Sequence, residues 1–140
     1  VVKCFGTFDV FVRGESLRFE RRKTKEMLAY LIDRRGCSVS SGELCAVLWE
    51  NAEDDKKTNH YLQVLKKDLI VSLERVGMKK IFVHSRNQYA IDTCRISCDY
   101  YDYLDNKAEG IRAYNGEYMA QYSWGEIQNV WIADDKAAKN

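Results

Sequence analysis

The sequence predicts an α+β fold: an N-terminal antiparallel sheet, a three-helix core and a C-terminal β-hairpin, followed by a short helical extension. Three observations predict it. Residues 2–19 alternate, with Phe8, Val10 and Val12 on one side of a strand and Asp9, Phe11 and Arg13 on the other. Lys56 to Val76 places Leu62, Leu65, Leu69, Leu73 and Val76 at steps of three and four, the period of an amphipathic α-helix. Ile81-Phe82-Val83-His84 and Tyr89-Ala90-Ile91 are strand-like runs flanking the polar turn Ser85-Arg86-Asn87-Gln88.

The remaining elements follow in order. Arg13-Gly14-Glu15 is a turn signal, and Leu17 and Phe19 are expected to form a third short strand. Arg21 to Arg35 reads as a helix burying Met27, Leu28, Leu31 and Ile32, with Gly36 as its stop. Ser40 and Glu43 fit a capping box, and Val39 with Leu44 the accompanying hydrophobic staple. The helix they start runs to about Glu50 and buries Leu44, Val47 and Leu48; the acidic stretch Asn51 to Asp55 connects it to the long helix. A short helix, a brief connection and a longer basic-faced helix is the helix-turn-helix layout, whose second helix enters the major groove. A hairpin behind it with Arg86 at its tip is a wing.

The 140 residues suffice for one domain, expected over 1–95, and an extension over 96–140. The net charge of +1 is a basic first part, +5 over residues 1–95, against an acidic remainder of −4. Lys56 to Arg86 holds eight basic and two acidic residues. No apolar run approaches a membrane span and no signal-peptide pattern is present; the absence of an initiator Met suggests a piece of a longer protein. Five cysteines at irregular spacing predict thiols in a reducing, cytoplasmic setting rather than a disulfide framework or a metal site. No P-loop, GxSxG, HExxH or GxGxxG occurs, so neither an enzyme nor a bound cofactor is expected.

The candidate site lies on the long helix. Opposite its leucine stripe stand Lys56, His60, Gln63, Val64, Lys67, Val71 and Glu74. Its first turns carry donors suited to phosphates and base edges, at the end of the helix whose partial positive charge favours anions. Gln63 and His60 are assigned to bases and Lys56, Lys67 and Arg86 to phosphates. Val64 belongs to the same face, and the basic cluster containing Arg22 and Lys23 is a further phosphate candidate.

In order along the chain, the basic start of the first helix, Met27-Leu28…Leu31, Leu44, Leu48 and Trp49, Leu62-Gln63-Val64 and Tyr89 resemble the winged helix-turn-helix domain of SARP-type bacterial activators. These are relatives of the OmpR/PhoB response-regulator output domains. The match spans residues 3–92. Two positions depart from it: Asp68-Leu69-Ile70-Val71 stands where the family often has a basic run, and Gln88 where it usually has glycine. Residues 113–126 resemble the opening of the TPR-like bacterial transcriptional activation domain. There Ser123 and Glu126 fit a second capping box with Tyr122 and Ile127 as staple, and Tyr118, Tyr122, Trp124 and Trp131 are expected to be buried. The resemblance implies duplex DNA as ligand, RNA polymerase and a second copy on DNA as protein partners, and a place as the effector half of a phosphorelay. The alternative is an interaction module on a winged-helix scaffold that has lost DNA binding.

Overall fold

A computed structural model describes residues 1–49 and 56–139. The chain divides into two compact units, Val1–Leu17 with Ser97–Asn140, and Arg18–Ile96. The N-terminal sheet therefore shares its unit with the tail. The connection expected over Asn51 to Asp55 lies outside the described residues.

In the first unit β1 (Val2–Lys3), β2 (Asp9–Val12) and β3 (Glu15–Ser16) form an antiparallel sheet in that order. The β2–β3 turn has two residues, Arg13 at φ 53° and Gly14 at φ 83°, the left-handed pair whose twist matches a hairpin. The third strand is Glu15–Ser16, not the expected Leu17–Phe19: this tight turn restarts pairing at once, and Leu17 only donates its N–H to the Val10 carbonyl.

The tail closes on this sheet. The Asp99 carboxylate accepts N–H groups from Cys4 at 2.8 Å, Phe5 at 3.1 Å and Tyr100 at 2.7 Å. The side-chain amide of Gln121 pairs both ways with the backbone of Phe8, at 2.7 and 2.9 Å. The fully buried Phe5 is met edge-on by Tyr100, Tyr103, Tyr114 and Tyr118 at 5.2–6.3 Å, the arrangement ring quadrupoles favour. Helices α4 (Asp99–Leu104), α5 (Ala108–Ala113) and α6 (Glu126–Lys139) complete the unit.

Two expectations for this tail are corrected. Ser123 opens a 3-10 turn, Ser123–Gly125, instead of capping α6, and Ile127 is 85% exposed, so no staple forms with Tyr122. Tyr118 is buried and Tyr122 stacks on Trp124 at 5.3 Å, but Trp131 is 50% exposed. Helix α6 turns Ile132 inward instead, leaving Ile127, Val130 and Trp131 on its outer side.

In the second unit α1 (Arg22–Asp33), α2 (Ser41–Leu48) and α3 (Lys56–Arg75) bury most of the predicted stripes, with Leu28, Leu31, Leu44, Leu62, Leu69 and Leu73 all fully inaccessible, whereas Val47 and Val76, the latter just past the end of α3, are only half-buried. Ser40 caps α2, its hydroxyl accepting the Glu43 N–H at 3.1 Å. The capping box is only half closed, because the Glu43 carboxylate turns to Tyr30 (2.5 Å) and Arg34 (3.7 Å). Val39 and Leu44 are both fully buried, as the staple requires. Val39 also belongs to β4 (Val39–Ser40), a strand the sequence did not announce. It adds to the hairpin of β5 (Phe82–Ser85) and β6 (Gln88–Ile91) in the order β4-β6-β5. The hairpin pairs Ser85 with Gln88, leaving Arg86 and Asn87 at the tip, with Asn87 at φ 63°.

Candidate nucleic-acid interface

The outer face of α3 follows from its buried one. Thr58, Leu62, Leu65, Leu69, Ser72 and Leu73 point inward, so Lys56, His60, Gln63 and Lys67 form the outermost ridge, and all four are exposed. On the wing side of this ridge runs an open groove of about 620 Å³. His60 and Gln63 line it together with Arg86 at the hairpin tip, which unites three of the sequence-assigned residues. Ser41, Asn59, Lys66, Ser85, Asn87 and Tyr89 complete its walls. Those six were missed because they come from α2, α3 and the hairpin. For Asn59 and Lys66 a usable signal existed, since both lie one residue from the assigned ridge.

Tyr89 forms the floor. Its ring is 2% exposed and lies parallel to Phe82, 6.2 Å between centroids and 6° between planes. Its hydroxyl oxygen accepts from the Gln63 amide and from the Ser41 hydroxyl, each at 3.4 Å. The Lys66 ammonium stands 5.7 Å over the ring. The Asn87 side chain accepts the Ser41 backbone N–H at 3.3 Å, so the hairpin tip is tied to the start of α2. On β5, His84 lies opposite Tyr89. Desolvation, then the positive charges of Lys66 and Lys79, lower its pKa and favour the neutral imidazole.

Of the other assigned residues, Arg22, Lys23, Val64 and Lys67 line the opposite flank of α3, and Lys56 lines neither side. Arg22, Lys23 and Val64 line a depression of about 300 Å³ with Arg21, Trp49, Tyr61 and Leu65. Lys67 shares a second depression, about 280 Å³, with Arg21, Val64, Val71 and Arg75. Lys23 is already engaged: its ammonium donates to the Leu48 carbonyl at 2.6 Å and to Glu26 at 3.1 Å. It thereby closes the C-terminus of α2, a structural use of a cation at a helix end.

Among the described residues, the thiols and carboxylates that converge are Cys4, Cys98 and Asp99, in the other unit. The two sulfurs are 3.3 Å apart. Asp99 spends its oxygens on three backbone N–H groups, and burial raises its pKa. It acts as a cap for a chain segment.

The second unit, with three helices and a hairpin against β4, is winged-helix-like. No family model matches the sequence, and no curated protein does. Among solved structures the fold is similar to Mycobacterium tuberculosis EmbR, determined in complex with a low-affinity phosphopeptide, at 15% sequence identity and a TM-score of 0.79. The likeness covers 98% of this chain and 42% of EmbR, so the chain spans under half the length of that protein. No helix among the described residues is long and apolar enough to cross a membrane.

Proposed function

We propose that the chain is the DNA-binding module of a transcription regulator, with α3 in the major groove and the β5–β6 hairpin as a wing on the adjacent backbone. The observation that carries this reading is the convergence of His60, Gln63, Asn59, Lys66 and Arg86 on one open groove. Amide and imidazole groups there suit base edges, and cations at its margins suit phosphates. The likeness to EmbR, a regulator, supports the same reading. In this reading the protein is a non-catalytic cytoplasmic regulator, its protein partners are RNA polymerase and a second copy on DNA, and it is the effector half of a phosphorelay.

The test is duplex binding across salt, followed by anisotropy or filter retention. With Lys56, Lys66, Lys67 and Arg86 each neutralising one phosphate, log K should fall against log salt with a slope of about −3.6. Retention no greater than that of an unrelated protein of equal net charge would overturn the reading.

A second reading, an interaction module, is favoured by the opposite flank. Tyr61 and Val71 are 45% and 43% exposed beside the side chains of Arg21, Arg22 and Arg75. An apolar surface rimmed with cations suits an acidic amphipathic segment. Binding of an acidic helical peptide that is lost in Val71→Asp, with duplex binding absent, would establish this reading in place of the first.

A further inference from the structure

We infer that Cys4 and Cys98 form a two-electron redox site: a small oxidant such as hydrogen peroxide joins their sulfurs in a disulfide that staples the two chain segments of the first unit. The five cysteines look alike in sequence, and the nearest to Cys98 along the chain is Cys94. The fold separates them. Cys37 and Cys94 are exposed and belong to the second unit, with the buried Cys45. Cys98 turns instead to Cys4, 94 residues away, and the two sulfurs stand 3.3 Å apart, inside ordinary sulfur–sulfur contact. Backbone bonds hold both residues in place. Val2 bridges to Cys98 in parallel register and donates its N–H to the Ser97 carbonyl at 2.7 Å. Cys4 donates its N–H to Asp99 at 2.8 Å, and its carbonyl accepts the Met119 N–H at 2.8 Å. A disulfide needs the sulfurs to close to about 2.05 Å, which small rotations about the two Cα–Cβ bonds supply. Both side chains are inaccessible, at 0% and 2% exposure, which shuts out bulky disulfides and leaves the site to small oxidants.

A peroxide oxygen bonds to one sulfur as its O–O bond breaks, giving a sulfenic acid and water. The other sulfur then attacks the sulfenic sulfur: the S–S bond forms, the S–O bond breaks and a second water leaves. The two thiols together lose two electrons and two protons, and one peroxide becomes two waters. The 3.3 Å spacing puts the resolving thiol beside the sulfenic acid as it forms, so condensation outruns a second oxidation. Burial disfavours the thiolate, so the reaction is slow, and its product rather than its rate identifies the site. The consequence lies in the path of the chain. The first unit is built from Val1–Leu17 and Ser97–Asn140, and the whole second unit lies between them in sequence. The disulfide closes that long loop covalently and removes freedom that the unfolded chain would otherwise gain.

For the test, the full chain is treated with hydrogen peroxide, unfolded in an alkylating agent and cut with trypsin. Cleavage after Lys3, Arg13, Arg86, Arg95 and Lys107 places Cys4 in residues 4–13, Cys94 in 87–95 and Cys98 in 96–107, so each pairing has its own mass. Peptides 4–13 and 96–107 should be recovered joined, two hydrogens lighter than their sum. The oxidised chain should melt about 5 °C or more above the reduced one, and dithiothreitol should restore the lower midpoint. Cys98→Ala should abolish both the linked peptide and the rise, and Cys94→Ala should retain both. The comparison of oxidised with reduced wild type needs no variant, so it decides the matter even where Cys98→Ala folds poorly. Recovery of Cys4 and Cys98 alkylated or as sulfinic acids would overturn the inference. So would a linkage of either to another cysteine, or a linked chain that melts no higher than the reduced one.

Discussion

The carboxylate of Asp68, midway along α3, caps the first turn of α1 by accepting the buried Thr24 hydroxyl at 2.5 Å. The same group accepts the backbone N–H of Arg21 at 3.2 Å and of Glu20 at 3.3 Å, and the Ser72 hydroxyl at 3.2 Å. Arg21, at the N-cap position, supplies no capping bond of its own. A carboxylate from another helix satisfies the N–H groups that a helix start leaves unpaired, and its negative charge complements the dipole there. Asp68→Ala should therefore cost about 3 kcal/mol, because buried donors lose their acceptor. Asp68→Asn should cost about half as much. Urea unfolding of the two variants measures both, and a loss below about 1 kcal/mol for alanine would show that the cap contributes little.

Two glycines make opposite predictions. A Cβ on Gly110 would meet the Tyr103 nitrogen at 2.2 Å and the Asp102 carbonyl carbon at 2.4 Å, both backbone atoms of α4. Gly110→Ala must separate α4 from α5 and should cost about 3 kcal/mol. At Gly42 a Cβ would approach only the Ser40 hydroxyl oxygen, at 3.9 Å. Gly42→Ala, within α2, should stabilise by about 0.5 kcal/mol. Thermal unfolding of the pair should move the midpoint in opposite directions.

These contacts show what the sequence could and could not convey. The leucine stripe of α3, the Ser40 cap and the hairpin tip were legible because each is a local pattern, set by helix period, capping chemistry or turn residues. Asp68 was not. In sequence it is one acid among basic neighbours and reads as a missing phosphate contact, whereas its bonds run to residues 44–48 positions away. The grouping of the N-terminal sheet with the tail was hidden for the same reason, since the Phe8–Gln121 pair spans 113 residues. At the interface the ridge residues were legible from helical period alone. The groove floor, Tyr89, read only as a family-type aromatic of a wing strand until strand pairing brought it beneath Gln63.

The Tyr30–Glu43 bond joins α1 to α2 and predicts a pH effect. Burial, together with the hydrogen bond and charge of Glu43, pushes the Tyr30 pKa from 10.0 up to about 12. Its folded pKa is thus raised above the unfolded one. The stability it supplies is fully present below pH 10 and is lost as pH rises toward about 12. Tyr30→Phe should cost about 1 kcal/mol at pH 8, and the difference from wild type should shrink over that alkaline window. A constant difference between pH 8 and 11 would place Tyr30 outside this linkage.

The central claim, that the groove beside α3 is where duplex DNA sits, is tested most directly by one matched pair of charge reversals. Arg86 is at the exposed wing tip and Arg112 at the exposed end of α5, in the other unit. Arg86→Glu and Arg112→Glu change the net charge identically. Duplex affinity should fall at least about tenfold for Arg86→Glu, with the salt slope reduced by about one, and should change little for Arg112→Glu. Equal weakening by the two variants would mean that the protein responds to net charge alone, and would contradict the assignment of the groove.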